Sequence, residues 1–145
     1  MNKGRSVTIY IGVVCIVCLF FAWSCSSRSG SGKAVKVGAV LPLTGNLAFL
    51  GEAIRNGIEM AKDEINANNT EGKRIELVYE DSKGDAREGV LAVRKLINVD
   101  KVRFLIINLT NVAFAAGPIL DQENSLGLVL STHPEILNNR KNLLR

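Results

Sequence analysis

The chain has little cysteine and histidine where a folded domain would use them. All three cysteines, Cys15, Cys18 and Cys25, lie in the first 25 residues, so the other 120 residues offer no disulfide and no thiolate metal site. His133 is the only histidine. One histidine without nearby cysteine makes a poor metal site, and it is the only histidine that could act as general base for a Ser or Cys nucleophile. The sequence therefore favours a protein that is not an enzyme and that needs no metal or cofactor.

Motifs that bind phosphate or activate a serine are also missing. The chain contains no G-x-x-x-x-G-K-[ST], no G-x-G-x-x-G and no G-x-S-x-G. Glu80, Asp81 and Asp85 cluster after the second predicted strand. A phosphoacceptor pocket requires acidic residues after the first and third strands, but Leu41 and Ile107 occupy those positions. We interpret the three acids as a solvated loop and a helix cap, and cation binding by their oxygens is the less favoured alternative.

The positive charge of the chain belongs to its ends. Residues 3–33 and 140–145 hold 7 of the 18 basic residues and none of the 14 acidic ones. Residues 36–135 therefore carry 11 positive and 14 negative charges, a net charge of −3. Because the body of the chain is weakly acidic, we predict no nucleic-acid partner.

The first 25 residues have the order of a targeting segment. Lys3 and Arg5 precede an uncharged, mostly apolar run at 7–23, and Ala22-Trp23-Ser24-Cys25 closes it. This resembles a bacterial lipoprotein signal, which implies that Cys25 is diacylated and becomes the new amino terminus. The alternative is an uncleaved membrane helix, because 17 residues reach the lower limit for spanning about 30 Å of bilayer. Both interpretations tether the domain to a membrane, outside the cytoplasm.

A spacer separates this segment from the domain. Residues 26–33 read SSRSGSGK, and Gly/Ser-rich chains of this kind are flexible coils. The predicted organisation is a signal segment at 1–25, a linker at 26–33 and one domain at 34–145.

From Val35 onward, strand and helix patterns alternate. This alternation predicts an α/β fold, a doubly wound parallel sheet with right-handed crossovers. The second strand mixes apolar and charged residues, which favours a position at or near a sheet edge, and Asp85 is placed to cap the helix that follows. The predicted strands are 35–41, 75–80, 102–107 and 128–130, and the predicted helices are 50–65, 90–97 and 112–124, with Gly127 as the last stop signal.

Two long strings of residues point to a family. AVLPLTGNLAFLGEAIRNGIEMAKDEINA and RIELVYEDSKGDAREGVLAVRKLI resemble the amino-terminal lobe of type I periplasmic binding proteins of the branched-chain amino-acid group. The resemblance runs from about Val35 to Leu137. It implies two similar α/β lobes that close on a small ligand and deliver it to an ABC permease. Only one lobe is present, and the ending NNRKNLLR falls where the family continues, so we expect a truncated lobe.

The resemblance also implies ligand-binding residues. The string A-F-L-G places Leu50 against the ligand, although Leu50 also fits the core stripe of its helix. After the third strand, residues 106–111 replace the family's Gly-Pro and hydroxyl segment, which leaves Leu109 and Thr110 at the ligand. A helix amino terminus favours an anion there on physical grounds. The alternative is that Thr110 or Asn111 is only an N-cap.

A second hydroxyl pair follows the fourth strand. Ser131 and Thr132 match the family's Ser, Ala and Thr segment before Pro-Glu-Leu, although this chain is shorter there by two or three residues. The resemblance implies that they hold the charged end of the ligand. Their alternative role is an exposed turn before Pro134, and His133, which follows Thr132, is expected to face solvent.

These features together predict an extracytoplasmic solute-binding lipoprotein that captures an amino-acid-like ligand for an ABC importer. Its partners would be the permease subunits and the membrane that holds its lipid anchor. The alternative is a membrane-tethered, ligand-sensing receptor domain that uses the same lobe without transport. An enzyme on the same fold is a third and weaker possibility, because fold alone does not decide function.

Overall fold

The structure, a computed structural model, describes residues 34–69 and 72–145. The predicted signal segment with Cys25 and the predicted linker at 26–33 lie outside the described residues, and they stay predictions. None of the helices in the described ranges combines the length and the hydropathy that a bilayer-spanning segment needs.

Strands and helices alternate through the described residues, as the sequence pattern predicts. Short 3₁₀ turns at Gly45–Leu47 and Pro134–Leu137 interrupt the alternation. The elements are β1 Val35–Leu41, α1 Ala48–Ala67, β2 Ile75–Asp81, α2 Ala86–Asn98, β3 Phe104–Asn108, α3 Thr110–Gln122, β4 Leu126–Leu130 and β5 Leu143–Leu144.

The strands form one parallel sheet in the order β2-β1-β3-β4-β5. This confirms the predicted doubly wound α/β class, and it confirms that β2 lies at an edge. The chain moves one way from β1 to β2 and the other way from β2 through β3 to β4. Because parallel crossovers are right-handed, α1 covers one face of the sheet, and α2 and α3 cover the other.

The main core lies between the sheet and the α2–α3 pair. Strand residues such as Val40, Ile107 and Val129 are buried there against helix residues such as Leu96 and Leu120. The two helices approach closely at one glycine. A Cβ at Gly89 would lie 2.5 Å from Cγ1 of Val112, so the two helices can approach this closely only because Gly89 has no side chain.

The other face of β3 and β4 is only partly covered. Phe104, Leu126, Leu128 and Leu130 alternate with buried residues along these strands, and each is 36–49% exposed. The register places Phe104 beside Leu126, so their side chains share this face.

Two predicted boundaries are wrong around α3 and β4. The helix begins at Thr110 and ends at Gln122, and the chain then turns with Asn124 at φ 53°. Gly127 is therefore not a stop signal, since it lies inside β4. A Cβ at Gly127 would be 2.6 Å from Cδ1 of Leu120, so this glycine allows helix and strand to pack closely.

The start of β3 also differs from the prediction. Val102 is fully buried, but it belongs to the turn before the strand, where its N–H donates to the Leu96 carbonyl at 2.9 Å. The prediction extended the strand to Val102 because its apolar side chain continues the apolar run of β3.

Candidate functional site

The loops that carry the predicted site residues meet at one edge of the sheet. All strands are parallel, so the loops after β1, β3 and β4 lie at the carboxyl edge. The strand order changes direction next to β1, and its neighbour there is β3. In open α/β sheets, a crevice at such a change of direction is the usual place for a small ligand.

The loop after β1 is fixed by Asp81 at the end of β2. The Asp81 carboxylate accepts hydrogen bonds from the N–H groups of Leu43 and Lys83, each at 2.8 Å, and from the Thr44 hydroxyl. The Thr44 N–H lies 3.3 Å from the same carboxylate. The interpretation of Asp81 as a merely solvated loop acid is therefore incomplete, because this residue is half-buried and joins two loops.

These hydrogen bonds set the charge state of Asp81. Burial acts to raise the pKa of this carboxyl, but the Thr44 hydroxyl and the N–H groups of Lys83, Leu43 and Thr44 together outweigh it and leave the pKa below its usual value. The carboxylate therefore stays ionised at neutral pH and keeps accepting from both loops.

The other two acids of the cluster are engaged locally. Asp85 caps α2, as predicted, and accepts from the N–H groups of Arg87 at 2.8 Å and Glu88 at 3.0 Å. Glu80 pairs with Lys95. Within the described residues, no group of three or more His, Cys, Asp or Glu side chains is arranged to hold a metal ion.

The loop after β3 turns through an unusual backbone conformation. Leu109 is the N-cap of α3 at φ 77° and makes no side-chain cap hydrogen bond. The N-cap alternative for Thr110 and Asn111 is therefore wrong. Positive φ is costly for a residue with a Cβ. The half-buried Leu109 side chain packs against the core, which offsets part of this cost.

Thr110 and Ser131 are brought together across two loops. Their hydroxyl oxygens lie 2.7 Å apart, and Oγ of Ser131 also accepts from the His133 N–H at 3.2 Å. The loops after β3 and β4 therefore present one pair of half-buried hydroxyls at the start of α3. The first N–H groups of any α-helix have no acceptor within the helix.

Leu50 and Thr132 lie at the same edge but outside this pair. Leu50 is half-buried in the first turn of α1, whose start packs on the loop after β1 so closely that a Cβ at Gly51 would be 2.1 Å from the Pro42 carbonyl oxygen. Thr132 is exposed, and its carbonyl accepts from Arg145 at 3.3 Å. His133 is exposed, as predicted, with its ring edge-on to Phe114 at 5.3 Å.

Asn111 and Asn108 make side-chain hydrogen bonds at the same edge, and the sequence patterns predicted neither of them. Nδ2 of Asn111 donates to the Gly84 carbonyl at 3.0 Å, which joins the start of α3 to the turn before α2. Asn108 ends β3 and is 6% exposed, with Nδ2 3.4 Å from the Leu130 carbonyl and Oδ1 unpaired within the described residues. A polar residue closing the run FLIIN is the signal that could have identified Asn108.

The fold and these loops define a class of protein. One open α/β sheet presents hydroxyl groups, a helix amino terminus and a half-buried leucine at its carboxyl edge. This arrangement is typical of a lobe that binds a small molecule.

Comparison with known proteins identifies the family. Residues 34–142 match the family described as periplasmic binding protein. This stretch is more than half of the chain, and the chain therefore belongs to that family. The resemblance to type I periplasmic binding proteins of the branched-chain amino-acid group is thereby confirmed.

Individual relatives agree. The Leu/Ile/Val-binding protein BraC3 of Rhizobium johnstonii is 33% identical over 100 residues, which cover 68% of this chain and 27% of that protein. The substrate-binding protein LivJ of Streptococcus pneumoniae, solved with isoleucine, is 26% identical and superposes with a TM-score of 0.69. The match covers 77% of this chain and 33% of the LivJ chain. A solute-binding protein of Rhodopseudomonas palustris, solved with 3,4-dihydroxybenzoic acid, is 26% identical with a TM-score of 0.70, covering 77% and 31%.

These relatives are solute-binding proteins, which are not enzymes, and the Rhodopseudomonas palustris protein belongs to an ABC transporter. Membership of the periplasmic binding protein family implies a location outside the cytoplasm. The chain spans 27% of the length of BraC3 and 30% of the length of a Leu/Ile/Val-binding protein homolog of Brucella melitensis.

Proposed function

We propose that this lobe serves an extracytoplasmic solute-binding lipoprotein that captures a small amino-acid-like ligand and delivers it to an ABC importer. The observation that carries the proposal is the pair of hydroxyls of Thr110 and Ser131, 2.7 Å apart at the amino terminus of α3. The lipid anchor at Cys25 holds the lobe at the membrane where the permease subunits lie.

The carboxylate of the ligand is the group that this site suits best. The amino terminus of a helix carries a partial positive charge, and its first N–H groups point outward as donors. The Thr110 and Ser131 hydroxyls can turn from each other to donate to an anion. The Asp81 carboxylate accepts from Leu43, Thr44 and Lys83, so its oxygens are directed at the loops after β1 and β2 and not at the hydroxyl pair of Thr110 and Ser131.

The ligands of two relatives share this chemistry. LivJ was solved with isoleucine and the Rhodopseudomonas palustris protein with 3,4-dihydroxybenzoic acid, and what these two molecules have in common is a carboxylate. Leu50 and Leu109 are the apolar residues proposed to border the rest of the ligand, and Thr132 is the proposed third hydroxyl.

The proposal is tested with a matched pair of ligands. Saturation-transfer NMR on the intact chain in detergent would compare isoleucine with isoleucinol, in which a CH₂OH group replaces the carboxylate. We expect signal from isoleucine, little from isoleucinol, and a loss with Thr110→Val or Thr132→Val, which keep size and delete a hydroxyl. Equal signals from both ligands in wild type would contradict carboxylate capture.

Transport is tested separately from binding. Isoleucine uptake by cells that carry the gene should fall when the gene is deleted. Unchanged uptake together with retained binding would favour a tethered sensor.

A further inference from the structure

The amino edge of the sheet, opposite the candidate ligand site, carries a second surface feature. An open cavity of about 610 Å³ lies there, lined by residues at the starts of β1, β2 and β3. Its apolar and basic members form what is called here the amino-edge patch. The patch consists of Val35, Lys36, Val99, Lys101, Arg103 and Phe104.

The apolar half of the patch is unusually open. Val99 is 68% exposed, Phe104 49% and Val35 37%, and all three line the same cavity. These three apolar side chains line one cavity together with Lys36, Lys101 and Arg103, so apolar and basic groups lie side by side at this edge.

The basic half of the patch is available to bind anions. Lys36 and Lys101 are exposed and form no ion pair with any residue that the structure describes. Arg103 is exposed too, and its Nη1 donates to the Glu123 carbonyl at 2.6 Å, which fixes the side chain over the edge.

Two acids line the same cavity and only one of them opposes the patch from the surface. Oδ2 of Asp100 is shielded from solvent without a hydrogen-bond partner among the described residues, so this carboxylate is partly turned inward. Glu76 is exposed and lies beside Lys36 in the register of β1 with β2. The cavity lining therefore holds three cations and two carboxylates, one of which is partly turned inward, and its formal net charge is positive.

The position of the patch relates it to the membrane. Ala34 lines the cavity, so residues 1–33 join the domain at this edge. With the proposed lipid at Cys25, residues 26–34 are the whole tether, and nine residues of Gly/Ser-rich chain span about 17 Å on average. Arg28 and Lys33 add two positive charges to the tether itself.

We propose that the amino-edge patch docks on anionic phospholipid headgroups of the membrane that holds the anchor. Lys36, Lys101 and Arg103 contact phosphate groups, and the exposed apolar side chains reach the headgroup boundary, as in other interfacial surfaces. Docking turns the carboxyl edge with the candidate ligand site away from the bilayer. This inference rests on the proposed lipid anchor at Cys25.

The test uses the acylated full chain on vesicles of pure phosphatidylcholine and on vesicles with 30% phosphatidylglycerol. Flotation reports the anchor, and hydrogen exchange of peptides over 99–104 reports docking, with peptides over 83–90 at the opposite edge as reference. The test variant is Lys36→Gln with Lys101→Gln. The charge-matched control is Arg87→Gln with Arg94→Gln, two exposed residues of α2.

We expect flotation in every case and slower exchange over 99–104 only on anionic vesicles. Each basic residue near an anionic surface contributes a factor of about five, so the test variant should lose roughly 25-fold in the ratio of docked to undocked chain, and the control should lose far less. Salt should reverse the protection.

Four results would overturn the proposal. Protection that is equal on both vesicle types would exclude headgroup charge as the cause, and protection that grows with protein concentration would assign the patch to a second copy of the chain. Flotation without any protection would refute docking and leave the anchor intact. Failure to float would refute the lipid anchor and, with it, the docking that depends on the anchor.

Discussion

Replacing Asp81 tests whether a single carboxylate holds the loops of the candidate site. Its oxygens accept from Leu43, Thr44 and Lys83, on two separate loops. A hydrogen bond to a charged group contributes about 1.5–3 kcal/mol, but donors near the surface recover part of this by bonding to water. We therefore expect Asp81→Ala to lower the free energy of unfolding by about 2–3 kcal/mol, and Asp81→Asn, which keeps one acceptor oxygen, by about 1 kcal/mol.

The pH dependence of this effect follows from the lowered pKa of Asp81. A carboxyl whose pKa is lower in the folded than in the unfolded chain contributes stability that is complete above the unfolded pKa of about 3.9. That contribution is lost as the pH falls through the folded pKa. The stability difference between wild type and Asp81→Asn should therefore be constant near neutral pH and should shrink below about pH 4.

The measurement is urea unfolding of the intact chain in detergent, followed by circular dichroism at several pH values. Glu52→Gln, an exposed acid on α1, is the control and should leave stability nearly unchanged. A loss below about 0.5 kcal/mol for Asp81→Ala, which is the range of ordinary surface substitutions, would refute the argument that Asp81 joins the loops.

Three further predictions concern packing, the anchor and the ligand. Gly89→Ala places a Cβ against Val112 and should lower the free energy of unfolding by about 1–3 kcal/mol. A Cβ at Gly57 meets nothing within 4 Å, so Gly57→Ala should raise the free energy of unfolding by about 0.5–1 kcal/mol. Thermal unfolding that ranks the two variants in the reverse order would refute the packing argument. Radioactive fatty acid should label wild type and not Cys25→Ser, and equal labelling would exclude lipid at that residue. Thr110→Val deletes a hydrogen bond to a charged group, which contributes about 1–3 kcal/mol, so the already weak saturation-transfer signal of isoleucine should disappear, and an unchanged signal would remove this residue from the site.

The sequence predicts the framework well because its signals are local. Alternating periods of two and 3.6 residues define strands and helices, and the charged face of β2 marks it as an edge strand. The cap at Asp85 is equally local, since its carboxylate contacts N–H groups only two and three residues ahead.

The details of the site depend on contacts between distant residues, which sequence patterns do not contain. Asp81 bonds to Leu43 across 38 positions, and Thr110 meets Ser131 across 21. Leu109 takes positive φ although leucine is unsuited to it, because its side chain gains contact with the core. Gly127 resembles a helix stop, but the space it leaves is filled by Leu120 from a packed helix.

The most direct test of the central claim is an NMR titration of the intact, isotope-labelled chain in detergent with a panel of amino acids. Ligands of this family are expected to be enclosed by two lobes, and a charge-assisted hydrogen bond on an open rim competes with water. We therefore expect shifts confined to the loops after β1, β3 and β4, with dissociation constants weaker than about 1 mM, or about −4 kcal/mol. Saturation in the micromolar range at these loops would show that one lobe suffices, and shifts located at the amino edge would contradict the assigned ligand site.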